Sequence, residues 1–160
     1  VAFEKKKPSP EEARAKIRTF CNYRERSHRE VKEKLYSMGL YSKEVDQLLV
    51  QMMDENLLNE ERYARSYARG RFRLKKWGWV KIEQGLRQQG IHQNLLKMAK
   101  SEIDEQEYMD MLQSMANKKW AEHSKDQYMI RKAKVYRFLI GRGFESSLIN
   151  SVLKSYHSPK

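Results

Sequence analysis

An all-α fold of three tandem three-helix repeats, stacked into an elongated, curved body, is predicted by three observations. Apolar residues recur at helical spacing, proline is almost absent, and one glycine pattern returns three times. The 160 residues include 3 prolines, at 8, 10 and 159, so nothing between Glu11 and Ser158 removes a backbone donor and stops a helix. Gly39, Gly90 and Gly143 recur at intervals of about fifty residues, a length typical of one unit in a helical array. Eight and four residues before them stand Val31 and Leu35, Ile82 and Leu86, and Val135 and Leu139. That spacing is one stripe of an amphipathic helix. Each glycine then reads as a helix C-terminal cap with positive φ.

The first repeat spans 10–58, after a flexible basic lead-in over 1–9 that carries Lys5, Lys6 and Lys7 and no apolar signal core. Ser9 with Pro10 and Glu12 predicts a helix over 10–22. Ser27 with Glu30 predicts one over 27–38, and Ser42 as a plain N-cap opens a third over 42–54. The second repeat, 59–104, opens on Asn59 and reads as helices over 59–75, 78–89 and 92–103. The third, 105–157, reads as helices over 105–121, 124–141 and 145–156, with Ser124 and Gln127 as a further capping box. No segment carries a convincing strand pattern. Units this small depend on their neighbours for stability.

Lys and Arg number 33 against 21 Asp and Glu, for a net charge of +12, a pI near 9.8 and a mean hydropathy of −0.92. This is the footprint of a polyanion binder, with single- or double-stranded DNA as the default partner. The single cysteine, Cys21, excludes an intramolecular disulfide, and no apolar run reaches the length of a membrane span. A cytoplasmic chain without a membrane partner is expected.

Basic density peaks in the second repeat. Arg62, Arg65, Arg69, Arg73 and Lys76 fall along one helical stripe, with Tyr63, Ala64, Tyr67 and Leu74 opposite as the packing face. Within 62–87 Glu83 is the lone acid, so the stripe is expected to lack carboxylates that would relieve its repulsion. Charge reversal of Arg65, Arg69 and Arg73 should therefore leave the fold intact. Lys75, Lys76 and Trp77, with Lys81 beyond, put cations beside an aromatic that can stack on bases or dock into a groove. The spacing of Trp79 to Ile82 and Leu86 suits the core instead. Arg24 and Arg26, and then Lys132, Lys134 and Arg137, extend the basic surface into the outer repeats.

No nucleotide-binding loop, paired-histidine zinc helix or paired CxxC occurs, so no cofactor or metal is expected. Cys21 beside Phe20 reads as a core thiol. His28, His92, His123 and His157 lack ligand spacing. A tyrosine nucleophile at Tyr63 or Tyr67 would need a second motif, which is missing. A basic, helical DNA-binding protein, not an enzyme, is the expected class.

The segments that define the repeat also resemble the RecX family. Ser27-His28-Arg29-Glu30-Val31 with Lys34, Leu35 and Gly39 is similar to that family's S-x-x-E-[LV]-x-x-K-L-x-x-x-G opening. Glu60-Glu61-Arg62-Tyr63-Ala64 resembles, in shifted form, its acidic element ending R-F-A. Lys75, Lys76, Gly78, Ile82, Leu86 and Gly90-Ile91 resemble its second-repeat element, and Lys134, Arg137, Phe138, Leu139, Arg142, Gly143 and Phe144 its third. Trp79 stands where that family commonly has proline, Asn59 where it has aspartate and Tyr63 where it has phenylalanine. The resemblance covers about Glu11 to Tyr156. It implies three tandem three-helix units that bind along the groove of a RecA-type recombinase filament on DNA and inhibit ATP hydrolysis and strand exchange, and a monomer is expected. The alternative is an autonomous, sequence-tolerant DNA-binding protein of helix-turn-helix or architectural type.

Overall fold

Ser9 accepts the amide of Glu12 through its side chain and, with Pro10 at the first helical position, starts α1 (Pro10–Tyr23) in the computed structural model, which describes residues 6–157. Ser27 and Glu30 form the reciprocal capping box of α2 (His28–Ser37). α3 (Ser42–Asp54) differs from expectation at its start. Tyr41 is the N-cap, and the Glu44 carboxylate accepts the Tyr41 amide at 3.2 Å, leaving Ser42 as the first helical residue. Asn59 caps α4 (Glu60–Arg73) as expected, accepting the Arg62 amide at 2.9 Å.

The remaining helices are α5 (Trp79–Gln88), α6 (Gln93–Lys100), α7 (Glu105–Glu122), α8 (Tyr128–Gly141) and α9 (Ser146–Leu153), and no strand occurs among the described residues. Ser124 is not an N-cap. Its amide donates to Ala121 and that of Asp126 to His123, so the chain turns through 123–126 before α8 begins on Gln127. α6 and α9 stop about one turn early, at Lys100 and Leu153. Gly39, Gly90 and Gly143 have φ of +88°, +74° and +93°, as the cap reading requires. Of the lead-in, 1–5 lie outside the described residues. Pro8 is buried, and Lys7 donates to Glu44 at 2.6 Å and sits 4.3 Å from the Tyr41 ring.

Close helix pairing occurs within α1–α3, α4–α6 and α7–α9. We refer to these as the first, second and third units. The middle helices of the units then follow one another head to tail. Ser27, at the start of α2, donates its hydroxyl to Gln89 at the end of α5 at 2.6 Å, and the Arg29 guanidinium donates to the Gln88 carbonyl. One unit along, the amides of Gly78 and Val80 at the start of α5 donate to the carbonyls of Arg142 and Gly143 at the end of α8, at 2.8 and 2.9 Å. This repetition extends the body in one direction.

The two junctions differ in chemistry. The second and third units share one apolar core, in which Tyr108 is the bridge. Its ring lies 5.8 Å from Phe72 and 5.4 Å from Phe144, and its hydroxyl accepts the Trp79 amide at 2.9 Å and donates to Glu145. The first unit has a separate core around Ile17, Val31, Leu35, Val45 and Met52. It meets the second unit through polar pairs, among them Arg62 with Glu25 at 2.5 Å and His28 with Glu60 at 3.5 Å.

Probes for the two bodies are already in place. Cys21 is buried in the first unit, and burial is the main cause that pushes its thiol pKa up, which fits an inert core thiol. Trp77, Trp79 and Trp120 lie in the other two units. The smaller core should open first, so rising urea should make Cys21 reactive toward a thiol reagent at a lower concentration than that which shifts tryptophan fluorescence. Coincident transitions would show that the polar junction couples all three units into one cooperative fold.

Candidate nucleic-acid interface

The helical stripe of α4 does form, but the N-terminal half of it is matched by acids from elsewhere in the chain. Arg62 meets Glu25 and also donates to Asn56. Arg65 pairs with Glu102 at 2.8 Å and Glu61 at 3.8 Å, and Arg69 pairs with Glu102 at 3.0 Å. The two guanidiniums hold the Glu102 carboxyl below its usual range, the Arg65 hydrogen bond contributing most. The expected lack of relieving acids is thus corrected. Glu102 lies just past α6, and its meeting with α4 depends on tertiary packing. A similar pair, Arg18 with Glu55 at 2.7 Å, ties α1 to the end of α3 in the first unit.

Past Arg69 the picture changes. Arg73, Lys75 and Lys76 are exposed, and none has an ion-pair partner among the described residues. Lys76 adopts φ +57° in the left-handed region, which turns the chain sharply after α4. Leu74, expected on the packing face, is 83% exposed as the C-cap residue of that helix. Beside it runs a stack of rings and cations. The Arg71 guanidinium lies 4.5 Å from the Tyr67 ring centroid and 5.4 Å from that of Trp77, and Lys81 covers Trp77 at 4.5 Å. Trp77 packs partly on the shared core, so its ring is positioned rather than free, and Trp79 is buried as its spacing suggested.

The outlying candidates divide in the same way. Arg26 is buried, donates to the Phe20 carbonyl at 2.9 Å and stacks on the Phe20 ring at 3.7 Å, a structural placement where a surface contact was expected. Arg24 is exposed but pairs with Glu30 at 2.8 Å. Lys134 pairs with Asp126 at 2.8 Å, while Lys132 leans toward the Tyr128 ring at 5.7 Å and Arg137 is exposed. The structure therefore gathers Arg71, Arg73, Lys75, Lys76 and Lys81 at the α4–α5 turn and leaves the other candidates dispersed. Arg71 is the member of this group that helix-face counting alone did not single out. Its role depends on Trp77 folding back, which spacing along α4 cannot show.

A catalytic tyrosine gains no support from the geometry. Tyr63 is buried, and burial together with the nearby Glu30 carboxylate raises its hydroxyl pKa, opposite to the activation a nucleophile needs. No helix among the described residues is long and apolar enough to cross a membrane.

Two family models match the chain: the second three-helix domain of RecX over residues 59–99 and the third over 105–153. The regulatory protein RecX of Prosthecochloris aestuarii is 31% identical over 134 residues, spanning 84% of this chain and 86% of that protein. The chain belongs to the RecX family. The Clostridium perfringens (strain 13 / Type A) regulatory protein RecX is 27% identical over 132 residues and 81% of this chain, but the match spans 61% of that relative's length. In fold, the chain resembles the crystal structure of RecX from Lactobacillus salivarius with a TM-score of 0.81, at 22% identity, over 91% of this chain and 95% of that one. RecX relatives carry the name of regulatory proteins, and the three-helix repeat architecture is common to them and to this chain.

Proposed function

We propose that this chain regulates RecA-type recombinases by binding their filaments on DNA and inhibiting ATP hydrolysis and strand exchange. The observation that carries this reading is the α4–α5 turn, where Arg73, Lys75 and Lys76 have no ion-pair partner among the described residues and stand beside the Arg71–Trp77–Lys81 stack. Exposed cations suit phosphates whose sequence is not read. The positioned Trp77 adds an aromatic edge of the kind enriched in protein interfaces. The head-to-tail order of α2, α5 and α8 suits a partner that is itself extended.

Capture of the chain on immobilised recombinase, on single-stranded DNA and on the assembled filament tests this reading. Retention should be strongest on the filament and should fall steeply with salt, since each neutralised phosphate releases counterions. Equal retention on DNA with and without recombinase would favour an autonomous DNA-binding protein. Salt-independent retention would remove the electrostatic basis of the interface.

A further inference from the structure

A second feature lies in the first unit, away from the α4–α5 turn. An open groove of about 820 Å³ runs between α1, α2 and the segment before α1. Phe20 and Tyr23 supply its aromatic surface, and Tyr23 is 82% exposed. Lys6, Lys16, Lys34 and Arg26 also line it, and no carboxylate does so among the described residues. Arg26 answers Glu30 at 3.6 Å, whereas Lys6, Lys16 and Lys34 have no ion-pair partner among the described residues. The open Tyr23 ring and the three ammonium groups therefore present one cationic, aromatic surface that the core of the unit does not use.

The groups are also pre-arranged. Arg26 donates to the Phe20 carbonyl and stacks on the Phe20 ring, with the Tyr23 ring 5.8 Å from the same guanidinium. The result is a fixed ring–guanidinium layer next to a second, open ring. Unpaired nucleobases stack on aromatic faces and on guanidinium planes, while their phosphates seek cations of the kind that Lys6, Lys16 and Lys34 present. A duplex keeps its base faces inside its own stack and cannot use Tyr23 in this way. An acidic peptide would satisfy the lysines but has no requirement for an exposed ring beside a guanidinium layer.

We infer that the groove between α1 and α2 is a single-stranded nucleic-acid site in which a base stacks on Tyr23 and adjacent phosphates meet Lys16 and Lys34. This site is separate from the α4–α5 turn and requires no recombinase.

The full chain is titrated into a labelled short oligothymidylate and into a blunt duplex, by fluorescence anisotropy and without recombinase. Tyr23→Ala should weaken oligothymidylate binding about five- to hundredfold, the effect of losing one base–aromatic stack, and leave duplex binding unchanged. Tyr23→Phe should keep wild-type affinity, because the ring and not the hydroxyl carries the contact. Ultraviolet crosslinking to the oligothymidylate, followed by peptide mapping, should place a crosslink on the segment containing Phe20 and Tyr23. Unchanged oligothymidylate affinity in Tyr23→Ala would overturn the proposal. So would an equal loss for both probes, crosslinks confined to α4 and α5, or displacement of the oligothymidylate by polyglutamate at equal charge. Recombinase modulation, measured on the same variants, fails or survives independently of these outcomes, so the filament reading is tested apart from the groove.

Discussion

Gly78→Ala is expected to lower the melting temperature of the second and third units by about 12–24 °C, the consequence of roughly 3 kcal/mol of overpacking in a body of about 100 residues. Gly78 has an ordinary extended φ of −75°, so its backbone tolerates any side chain. The obstacle is space. A Cβ at this position would overlap the backbone of Gly143 and the amide of Phe144. Among them is the Gly143 carbonyl oxygen, which accepts the Val80 amide where the start of α5 bonds to the end of α8, so the neighbour cannot yield without disturbing the junction. Gly39→Ala supplies the contrast. There φ is +88°, but the nearest atom to an added Cβ is that of Lys7 at 4.0 Å. Only the backbone term applies, about 1–2 kcal/mol, and the loss should fall on the first unit. Calorimetry, with Cys21 reactivity and tryptophan fluorescence assigning each transition, measures both. A Gly78→Ala protein as stable as the parent would mean that the second and third units are not held by this backbone contact.

The second large effect concerns Glu102. Replacing Arg65 and Arg69 together by Glu would place two carboxylates where two guanidiniums now hold one. We expect a loss of about 1–3 kcal/mol, tempered by the partial exposure of all three side chains. The loss should shrink if Glu102→Gln is added, because the introduced carboxylates then face no third negative charge, and the shortfall from additivity measures the coupling. Chemical denaturation of the three proteins reads it. A double reversal as stable as the parent would show that these pairs contribute nothing to the fold, which is what a purely solvated stripe would give.

Most of the architecture was legible because it follows from local chemistry. Helical periodicity, the Ser9, Ser27 and Asn59 caps and the three positive-φ glycines need only near neighbours in sequence. The errors fall where distant residues decide. Ser124 looked like a cap because Gln127 follows at the right spacing, but its amide is taken by the turn out of α7. Arg65 and Arg69 looked unrelieved because Glu102 is far along the chain. Arg26 looked like one more surface cation, whereas the ring of Phe20 and its carbonyl hold it inward. The groove between α1 and α2 was missed for the same reason, since Lys16, Tyr23 and Lys34 become neighbours only when the two helices pack.

The Arg65–Glu102 finding also decides which variant is informative about function. A reversal that includes Arg65 and Arg69 confounds contact with stability. The three unpaired cations do not, since Arg73, Lys75 and Lys76 are exposed and break no ion pair among the described residues when replaced. The direct measurement is recombinase ATPase and strand exchange on single-stranded DNA, titrated with the Arg73→Glu, Lys75→Glu, Lys76→Glu triple variant after circular dichroism has confirmed its helicity. The triple variant should need at least tenfold more protein than the parent for the same inhibition, because introduced carboxylates repel the phosphates that the cations attract. Full helicity with inhibition at the parent's concentration would contradict the assignment of the α4–α5 turn as the functional contact.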